Sequence, residues 1–326
     1  MPPIGSGWQP VFSDDFDGAA LDSSKWLAVD GTASDGLGTF RSANASVSGG
    51  ELVMRVDSNY DSARVRSLIS GVTRRWVYGW FEFEARIDAQ VGSWHGLWLW
   101  HNSQDPVYYE VDIEPRGSYP STQSYGHIYQ TTPSKLQDRA DIAENWSDGQ
   151  YHVWAIHWDP TFVRWYRDGV LMREVTTNVQ HVPSEILLDH KVGGFGGSPD
   201  GSTVYPFYMR VKSVKVWQDT TWRGYVRVVH SPQTLTAPQR SQITTALREL
   251  GCKDPSYPNL DAQVYGRATH DWLCEFSLPS APTSTTIAQA VSQAVALDVS
   301  ANLTVTVYSG LDWESRRLAC KTALAM

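Results

Sequence analysis

Residues 110–114 read Glu110-Val-Asp-Ile-Glu114, three carboxylates at strict two-residue spacing. On a β-strand, residues i, i+2 and i+4 share one face, so this spacing predicts a row of acids on one side and a core contact for Val111 and Ile113 on the other. Carboxylates this close repel one another and raise each other's pKa values. Two neighbouring carboxyl groups suit glycoside hydrolysis, in which one group protonates the leaving oxygen and the other acts as nucleophile or base. A solvated strand face and a metal cluster remain alternatives for these residues.

The neighbouring segments have the same alternating pattern. Residues 52–56, 78–87, 108–113 and 151–158 are short runs separated by Gly, Asn, Asp and Ser, which is typical of strands. Many strands at roughly ten-residue spacing predict an antiparallel sandwich over residues 1–220. The pair Asp168-Gly169 predicts a tight turn between two of these strands.

Several segments between about residues 8 and 218 resemble glycoside hydrolase family 16, the family of lichenases, laminarinases, agarases and xyloglucan-modifying enzymes. They occur in the family's order and at its spacing. The segments that carry the resemblance are Phe12-Ser-Asp-Asp-Phe16, Tyr78-Gly-Trp-Phe-Glu-Phe-Glu-Ala-Arg-Ile87, Gly92-Ser-Trp-His-Gly-Leu-Trp-Leu99, Glu110-Val-Asp-Ile-Glu114, Trp154-Ala-Ile-His-Trp-Asp-Pro160 and Val163-Arg-Trp-Tyr-Arg-Asp-Gly169.

The resemblance implies a jelly-roll sandwich with a concave, sugar-binding sheet. It also implies a retaining, endo-acting hydrolase in which Glu110 is the nucleophile, Glu114 is the general acid/base and Asp112 modulates their charge. The form of the acidic motif is closer to lichenases and xyloglucan enzymes than to laminarinases. A β-glucan is therefore the expected substrate, and a β-galactan remains open.

The candidate substrate-binding residues are Trp94, Trp98, Trp100, His127 and Arg74. Trp94 and Trp98 occupy the two tryptophan positions of the resembling family, and an indole ring can stack on the apolar face of a pyranose. Trp100 follows on the same alternation and is expected to extend this surface. His127 lies in the segment after the acids, and Arg74 precedes the strand at 78–87. Core packing for the tryptophans, a structural histidine and a solvated arginine are the alternatives.

No metal and no cofactor are expected. Members of the resembling family often bind a structural calcium ion through an aspartate, but Lys212 occupies that position here and brings a positive charge. All three cysteines, Cys252, Cys274 and Cys320, fall in the last third of the chain, and no Cys/His spacing indicates zinc.

The charge and hydropathy of the chain limit the kinds of binding partner and the cellular locations that we expect for the protein. Residues 1–220 carry 18 basic and 27 acidic residues, so a nucleic-acid partner is not expected. No apolar run approaches the length of a membrane span, and residues 1–7 contain neither a basic nor an apolar signal region. Because a polysaccharide lies outside the cell, we expect an extracellular or virion location.

The pattern of the chain changes near residue 220. The order strand, helix, strand, strand, helix, strand, followed by a last helix at 313–324, predicts a small α+β domain over residues 221–326, similar to a ferredoxin-like βαββαβ module. The strands are expected near 225–229, 262–265, 272–276 and 303–307, and the first two helices near 236–250 and 287–297. Self-association or docking to a larger particle is the expected role, and a plain stabilising appendage is the alternative.

A second class of function is compatible with the same sandwich. A glycan-binding structural or adsorption component of a virus particle, such as a phage tail or capsid protein, would hold a polysaccharide with weak or no hydrolysis. The absence of a visible signal peptide favours this class, whereas the presence of all three acids favours an enzyme.

Overall fold

The elements of the fold are mostly short β-strands. The computed structural model describes residues 8–33, 35–69, 72–73, 75–101, 108–117, 122–131, 134–143, 146–159, 161–179, 184–219, 222–230, 235–250, 271–278, 283–294 and 303–309. In chain order the strands are β1 (Trp8–Asp14), β2 (Trp26–Ala28), β3 (Gly31–Thr32), β4 (Thr39–Phe40), β5 (Ala45–Val47), β6 (Leu52–Val56), β7 (Ala63–Ile69), β8 (Val72–Thr73), β9 (Arg75–Trp76), β10 (Gly79–Ile87), β11 (Ser93–His101), β12 (Tyr109–Arg116), β13 (Thr122–Thr131), β14 (Ser134–Ala143), β15 (His152–Asp159), β16 (Phe162–Arg167), β17 (Val170–Val175), β18 (Ser184–Val192), β19 (Phe207–Asp219), β20 (Trp222–His230), β21 (Asp271–Leu278) and β22 (Leu303–Ser309). The α-helices are α1 (Ala237–Glu249) and α2 (Ser284–Ala294), and short 3-10 helices span Ser42–Asn44 and Gly194–Gly196.

Two large antiparallel sheets form the sandwich. One has eight strands in the order β17-β16-β15-β10-β19-β6-β5, with β1 paired to β19. The other has nine strands in the order β14-β13-β12-β11-β18-β7-β2, with β8 paired to β7 and β9 to β18. This architecture confirms the predicted jelly-roll sandwich.

The inner faces of both sheets supply the core. From the eight-stranded sheet, Phe81, Phe83 and Trp154 are fully buried, and from the nine-stranded sheet Val111 and Ile113 are fully buried. Each large apolar side chain removed from water stabilises the fold by roughly 1.5–3 kcal/mol, so burial of these inward-facing side chains is the main source of stability. The sandwich between residues 8 and 219 contains no cysteine, so no disulfide contributes to its stability.

The predicted turn at Asp168-Gly169 connects β16 and β17. Both residues have positive φ, 49° for Asp168 and 80° for Gly169. A two-residue hairpin with this geometry matches the right-handed twist of its strands, which is why an Asp-Gly pair is favoured there. The turn is confirmed.

The chain after residue 220 forms a third sheet, in which β20 lies between β21 and β22. The strands predicted near 225–229, 272–276 and 303–307 correspond to β20, β21 and β22, and the first two predicted helices correspond to α1 and α2. The strand predicted near 262–265 and the helix predicted at 313–324 lie outside the described residues. The ferredoxin-like assignment and the domain boundary at residue 220 therefore stay predictions.

Within the ranges given above, neither helix has the length and apolar character needed to cross a bilayer.

Candidate active site

The three acids lie on β12, third from the β14 edge of the nine-stranded sheet. The strand pairs with β11 on one side and β13 on the other. Val111 and Ile113 point into the core and are fully buried, so Glu110, Asp112 and Glu114 point to the open face of the sheet. The predicted alternation is confirmed, whereas the catalytic roles stay predictions.

A cleft of about 210 Å³ crosses this open face at the acids. Its wall comes from strands on both sides of β12 and from the loop that precedes β4. The lining residues are Asp35, Trp94, Gly96, Trp98, Tyr108, Glu110, Asp112, Glu114, Ile128, Gln137, Asp189, Lys191 and Phe195. All three carboxyl groups therefore line one cleft.

Hydrogen bonds orient the two outer acids. The indole Nε1 of Trp94 donates to Oε1 of Glu114 at 3.0 Å. The hydroxyl of Tyr108 donates to the Glu110 carboxylate. Each glutamate is therefore held by an aromatic donor from its own or a neighbouring segment, which fixes where each carboxyl group points.

The electrostatics of the row keep it from carrying three negative charges. Asp112 is almost fully buried between its neighbours. Burial, and then the charges of Glu110 and Glu114, raise the pKa of Asp112 well above its usual range. Burial also raises the pKa of Glu114, although the Trp94 donor and the nearby cations Lys191 and Arg139 oppose that rise. A protonated Glu114 is the form that an acid catalyst needs.

Trp94 lines the cleft, but protein groups cover most of its ring. Only 5% of the residue is exposed, and the ammonium of Lys191 lies 3.6 Å from the centre of its ring. Phe195 packs against the same ring at 5.2 Å. Trp94 still lines the cleft, so sugar stacking on it stays a prediction, and the contact that the structure shows is its hydrogen bond to Glu114.

Trp98 lies in the cleft as predicted. Its ring is partly exposed and leans over Gly96, where an added Cβ would come within 2.9 Å of the indole. Among the described residues, its Nε1 is buried and has no acceptor, so only the partly exposed ring is accessible to a sugar. Trp100 lies beside it on the same face, with ring centres 6.0 Å apart, but does not line the cleft itself. Sugar binding by either residue stays a prediction.

The placement of His127 in the site is wrong. His127 pairs with Val111, and both side chains face the core. Its imidazole packs between Tyr109 and Trp165 and lies 3.4 Å from Asp138, so it cannot reach the cleft. Ile128, one residue further along β13, lines the cleft in its place. Arg74 lies outside the described residues.

The sequence reading missed a charged network on β18 and β7. Lys191 pairs with Asp189 at 3.1 Å and with Asp35 at 2.6 Å. Arg64 binds both oxygens of Asp189, at 2.7 and 2.5 Å. Burial disfavours the charge on Asp189, but Arg64 and Lys191 outweigh it and lower its pKa to about 2. The available signal was the alternation of Glu185, Asp189 and Lys191 in an otherwise apolar strand.

The described residues contain no group of three or more His, Cys, Asp or Glu side chains placed to hold a metal ion. Lys212 lies 3.5 Å from Glu84, with its ammonium 3.9 Å from the ring centre of Tyr151. An ammonium at this position does not fit a bound cation. The loss of the calcium site stays a prediction.

Comparisons with known proteins agree with this geometry. The family model described as glycosyl hydrolases family 16 matches residues 35–201. A beta-glucanase of Rhodothermus marinus is 27% identical over 252 residues, which cover 65% of this chain and 85% of that protein. Glucan endo-1,3-beta-glucosidase A1 of Niallia circulans is 26% identical over 267 residues, which cover 67% of this chain but only 39% of that protein.

The fold has close counterparts among solved structures. The catalytic domain of an endo-1,3-beta-glucanase (laminarinase) from Thermotoga petrophila RKU-1 matches with a TM-score of 0.58 at 24% identity. The match covers 66% of this chain and 99% of that domain. The likeness places the sandwich, and not the segment after it, in a known architecture.

Proposed function

The chain belongs to glycosyl hydrolase family 16, whose members are retaining enzymes, and on this premise we propose that it is an endo-acting hydrolase of a β-glucan. The observation that carries the proposal is the row of three carboxyl groups on β12 in an open cleft, with burial raising the pKa of Glu114. One ionised and one protonated carboxyl group are what retaining hydrolysis requires.

The proposed reaction has two steps. The Glu110 carboxylate attacks the anomeric carbon while Glu114 donates its proton to the leaving oxygen, which gives a covalent glycosyl-enzyme. Glu114, now ionised, takes a proton from water, and the water displaces Glu110 with overall retention of configuration. Asp112 lies between them, and because it favours its protonated form it adds little negative charge to the row.

The proposed substrate follows from the relatives and the cleft. Relatives that match 65% and 67% of this chain include a beta-glucanase and a glucan endo-1,3-beta-glucosidase. A neutral polymer suits Trp98, which is partly exposed and lines the cleft, because an indole ring can stack on the apolar face of a sugar. Because such a polymer stays outside cells, we propose an extracellular site of action.

The test is release of reducing ends from β-1,3-glucan, mixed-linkage β-glucan and β-galactan, with product sizes followed over time. An endo-acting enzyme releases long oligosaccharides first, and proton NMR of the first products should show the β-anomer. Glu110→Gln and Glu114→Gln should each abolish hydrolysis while the melting temperature stays near that of the wild type. Hydrolysis at the wild-type rate in both variants would show that other residues act.

The alternative function, a glycan-binding component of a virus particle, has no support in the comparisons. The same experiment separates the two, because such a protein would retain polysaccharide on a column and release no reducing ends. Binding without hydrolysis on every polymer tested would exclude the enzyme.

For residues 221–326 we propose a small α+β unit that serves self-association or docking to a larger particle. The position of β20 between β21 and β22, with α1 and α2 connecting along the chain, supports a βαββαβ order. Within it, Trp272 donates from β21 to Thr244 on α1 at 3.0 Å, and both Val226 and Ile243 are fully buried. The Trp272–Thr244 hydrogen bond thus joins the sheet to α1 within this segment.

A further inference from the structure

Lys191 is a buried cation beside the proposed catalytic acid. It lies on β18 directly opposite Trp94 on β11. Its side chain is only 3% exposed, and its ammonium rests on the Trp94 ring, 3.6 Å from the ring centre. Burying a charge is costly unless it is paired, and Asp35 and Asp189 supply the two partners.

Trp94 connects this cation to the acid. While one face of the indole meets the ammonium, its Nε1 donates to Glu114 at 3.0 Å. We propose that Lys191 is a positioning residue of the reaction: its ammonium holds Trp94 against Glu114 and stabilises the ionised form of that carboxyl group. The inference rests on the proposed function, because it concerns the proton that Glu114 donates.

The geometry favours an electrostatic role over a purely structural one. A desolvated ammonium is attracted to the face of an indole ring, so the ring cannot move without losing that contact. Lys191, Trp94 and Glu114 line one cleft, where charges interact more strongly than in water. A cation here favours ionised Glu114 and so opposes the effect of burial, in line with the direction of its influence on the pKa.

Other charged groups also face Glu114 and must be held constant in a test. Those on its own strand and on neighbouring elements are Glu110, Asp112, Arg116, Arg139, Asp141, Asp189 and Asp35. Arg116 and Arg139 are both bound to Asp141, at 2.6 and 3.2 Å, and Asp189 is bound by Arg64. Lys191 is therefore the cation whose removal changes the charge at Trp94 with the fewest side effects.

Lys191→Met tests the proposal, since methionine keeps the apolar stem and removes the charge. Two readouts apply: the basic limb of the kcat/KM profile against pH, and the pH titration of the Trp94 indole N–H signal by NMR, assigned with Trp94→Phe. Both report the apparent pKa of the coupled acids. Each midpoint should move to higher pH by on the order of one unit, while Lys191→Arg should stay near the wild type.

The matched control is Lys212→Met. Lys212 also combines a carboxylate neighbour with an aromatic ring, Glu84 and Tyr151, but it lies on the other sheet. Its removal should leave both midpoints unchanged. Equal shifts in the two variants would mean that net charge and not position causes the effect, which overturns the proposal.

Asp35→Asn provides a test of opposite sign and guards against a misfolded Lys191 variant. Asp35 is about half exposed, so its loss leaves no buried charge without a partner. With Lys191 less neutralised, the Trp94 signal should titrate at lower pH than in the wild type, by less than the Lys191→Met shift. An unchanged or raised midpoint in Asp35→Asn, or an unchanged one in Lys191→Met, overturns the inference.

The two readouts also separate this inference from the proposed function. The indole titration needs no substrate, so its result does not depend on which glycan the protein cleaves. If the wild type hydrolyses a β-glucan and Lys191→Met shows the same pH profile and indole titration, only the role of Lys191 fails. If no glycan is hydrolysed but the indole midpoint shifts, the proposed function fails and the electrostatic coupling remains.

Discussion

Trp94 and Trp98 lie four residues apart on one strand and border the same cleft, yet their surroundings give them different roles. Trp94 is enclosed by Lys191, Phe195 and Glu114, and its indole donor is already used. Trp98 is partly exposed, and its donor has no acceptor among the described residues. Residue identity and spacing alone predict the same role for both, and only their neighbours distinguish them.

Trp94→Phe should therefore affect the reaction step more than binding. Phenylalanine keeps most of the ring packing but loses the hydrogen bond to Glu114. Such a bond to an ionisable group contributes about 1.5–3 kcal/mol, so kcat should fall about ten- to hundredfold with little change in KM.

Trp98→Ala is the comparison for this variant. It removes the ring that a sugar would contact, so KM should rise with a smaller change in kcat. Measurement of kcat and KM for both variants on the best β-glucan distinguishes a role in the reaction step from a role in binding. A rise in KM alone for Trp94→Phe would indicate that Trp94 acts as a stacking surface instead.

At the scale of elements, the pair β11 and β18 carries a buried histidine contact on its core side. His95 and His190 face each other in register, with their Nδ1 atoms 2.8 Å apart. Nε2 of His190 donates to the carbonyl of Phe207 at 3.0 Å, so its Nδ1 accepts and Nδ1 of His95 donates. A further proton on His190 would place two donors against each other and break the contact.

Stability is therefore expected to fall as the pH falls. Burial lowers the pKa of His190 to about 4, and it lowers the pKa of His95 well below its usual range. An unfolded histidine has a pKa of about 6.5. Between that pH and the lower pKa of the folded state, the unfolded chain therefore binds more protons than the folded chain. The stability from His190 is complete above pH 6.5 and is reduced by on the order of 2 kcal/mol at pH 5.

Denaturant unfolding at pH 7.5, 6 and 5 measures this loss, and His190→Gln supplies the control. The variant keeps a side chain that can donate to Phe207 but does not titrate, so its free energy of unfolding should depend less on pH than that of the wild type. If the free energy of unfolding depends equally on pH in the two proteins, His190 is not the group responsible for the loss of stability.

The errors of the sequence reading also arise between elements. The two-residue spacing within 110–114 was enough to place the acids on one face, because alternation along a strand is local. The side of the sheet that His127 occupies depends on the register between β12 and β13, which is fixed by pairing and not by spacing. The contact of Trp94 with Lys191 joins residues almost a hundred positions apart, so no local pattern could reveal it.

At the scale of the whole molecule, the sandwich is complete without the rest of the chain. All strands of its two large sheets lie between Trp8 and Asp219, and the sheet formed by β20, β21 and β22 shares no strand with them. The family model also ends before this point, at residue 201. The order of motifs predicted this part of the molecule well, since each strand carries its own alternation.

A chain ending at Asp219 should therefore fold and keep its glycan activity. Circular dichroism, a melting curve and release of reducing ends measure this, with the full-length protein as control. Light scattering then tests the proposed assembly role, which requires the full-length protein to be larger than one chain and the shortened one to be a monomer. A full-length protein that is already a monomer and binds no partner protein would contradict that role, and aggregation of the shortened chain would indicate that residues 221–326 cover an apolar face of the sandwich.

The position of the acids on one internal strand has a consequence for how activity responds to heat. Glu110, Asp112 and Glu114 share a single backbone segment that is hydrogen-bonded on both sides, by β11 and by β13. Strands of this kind open only when a large part of the sheet opens with them. The row of three acids should therefore keep its spacing until the sandwich itself melts, so we expect thermal inactivation to follow unfolding instead of preceding it.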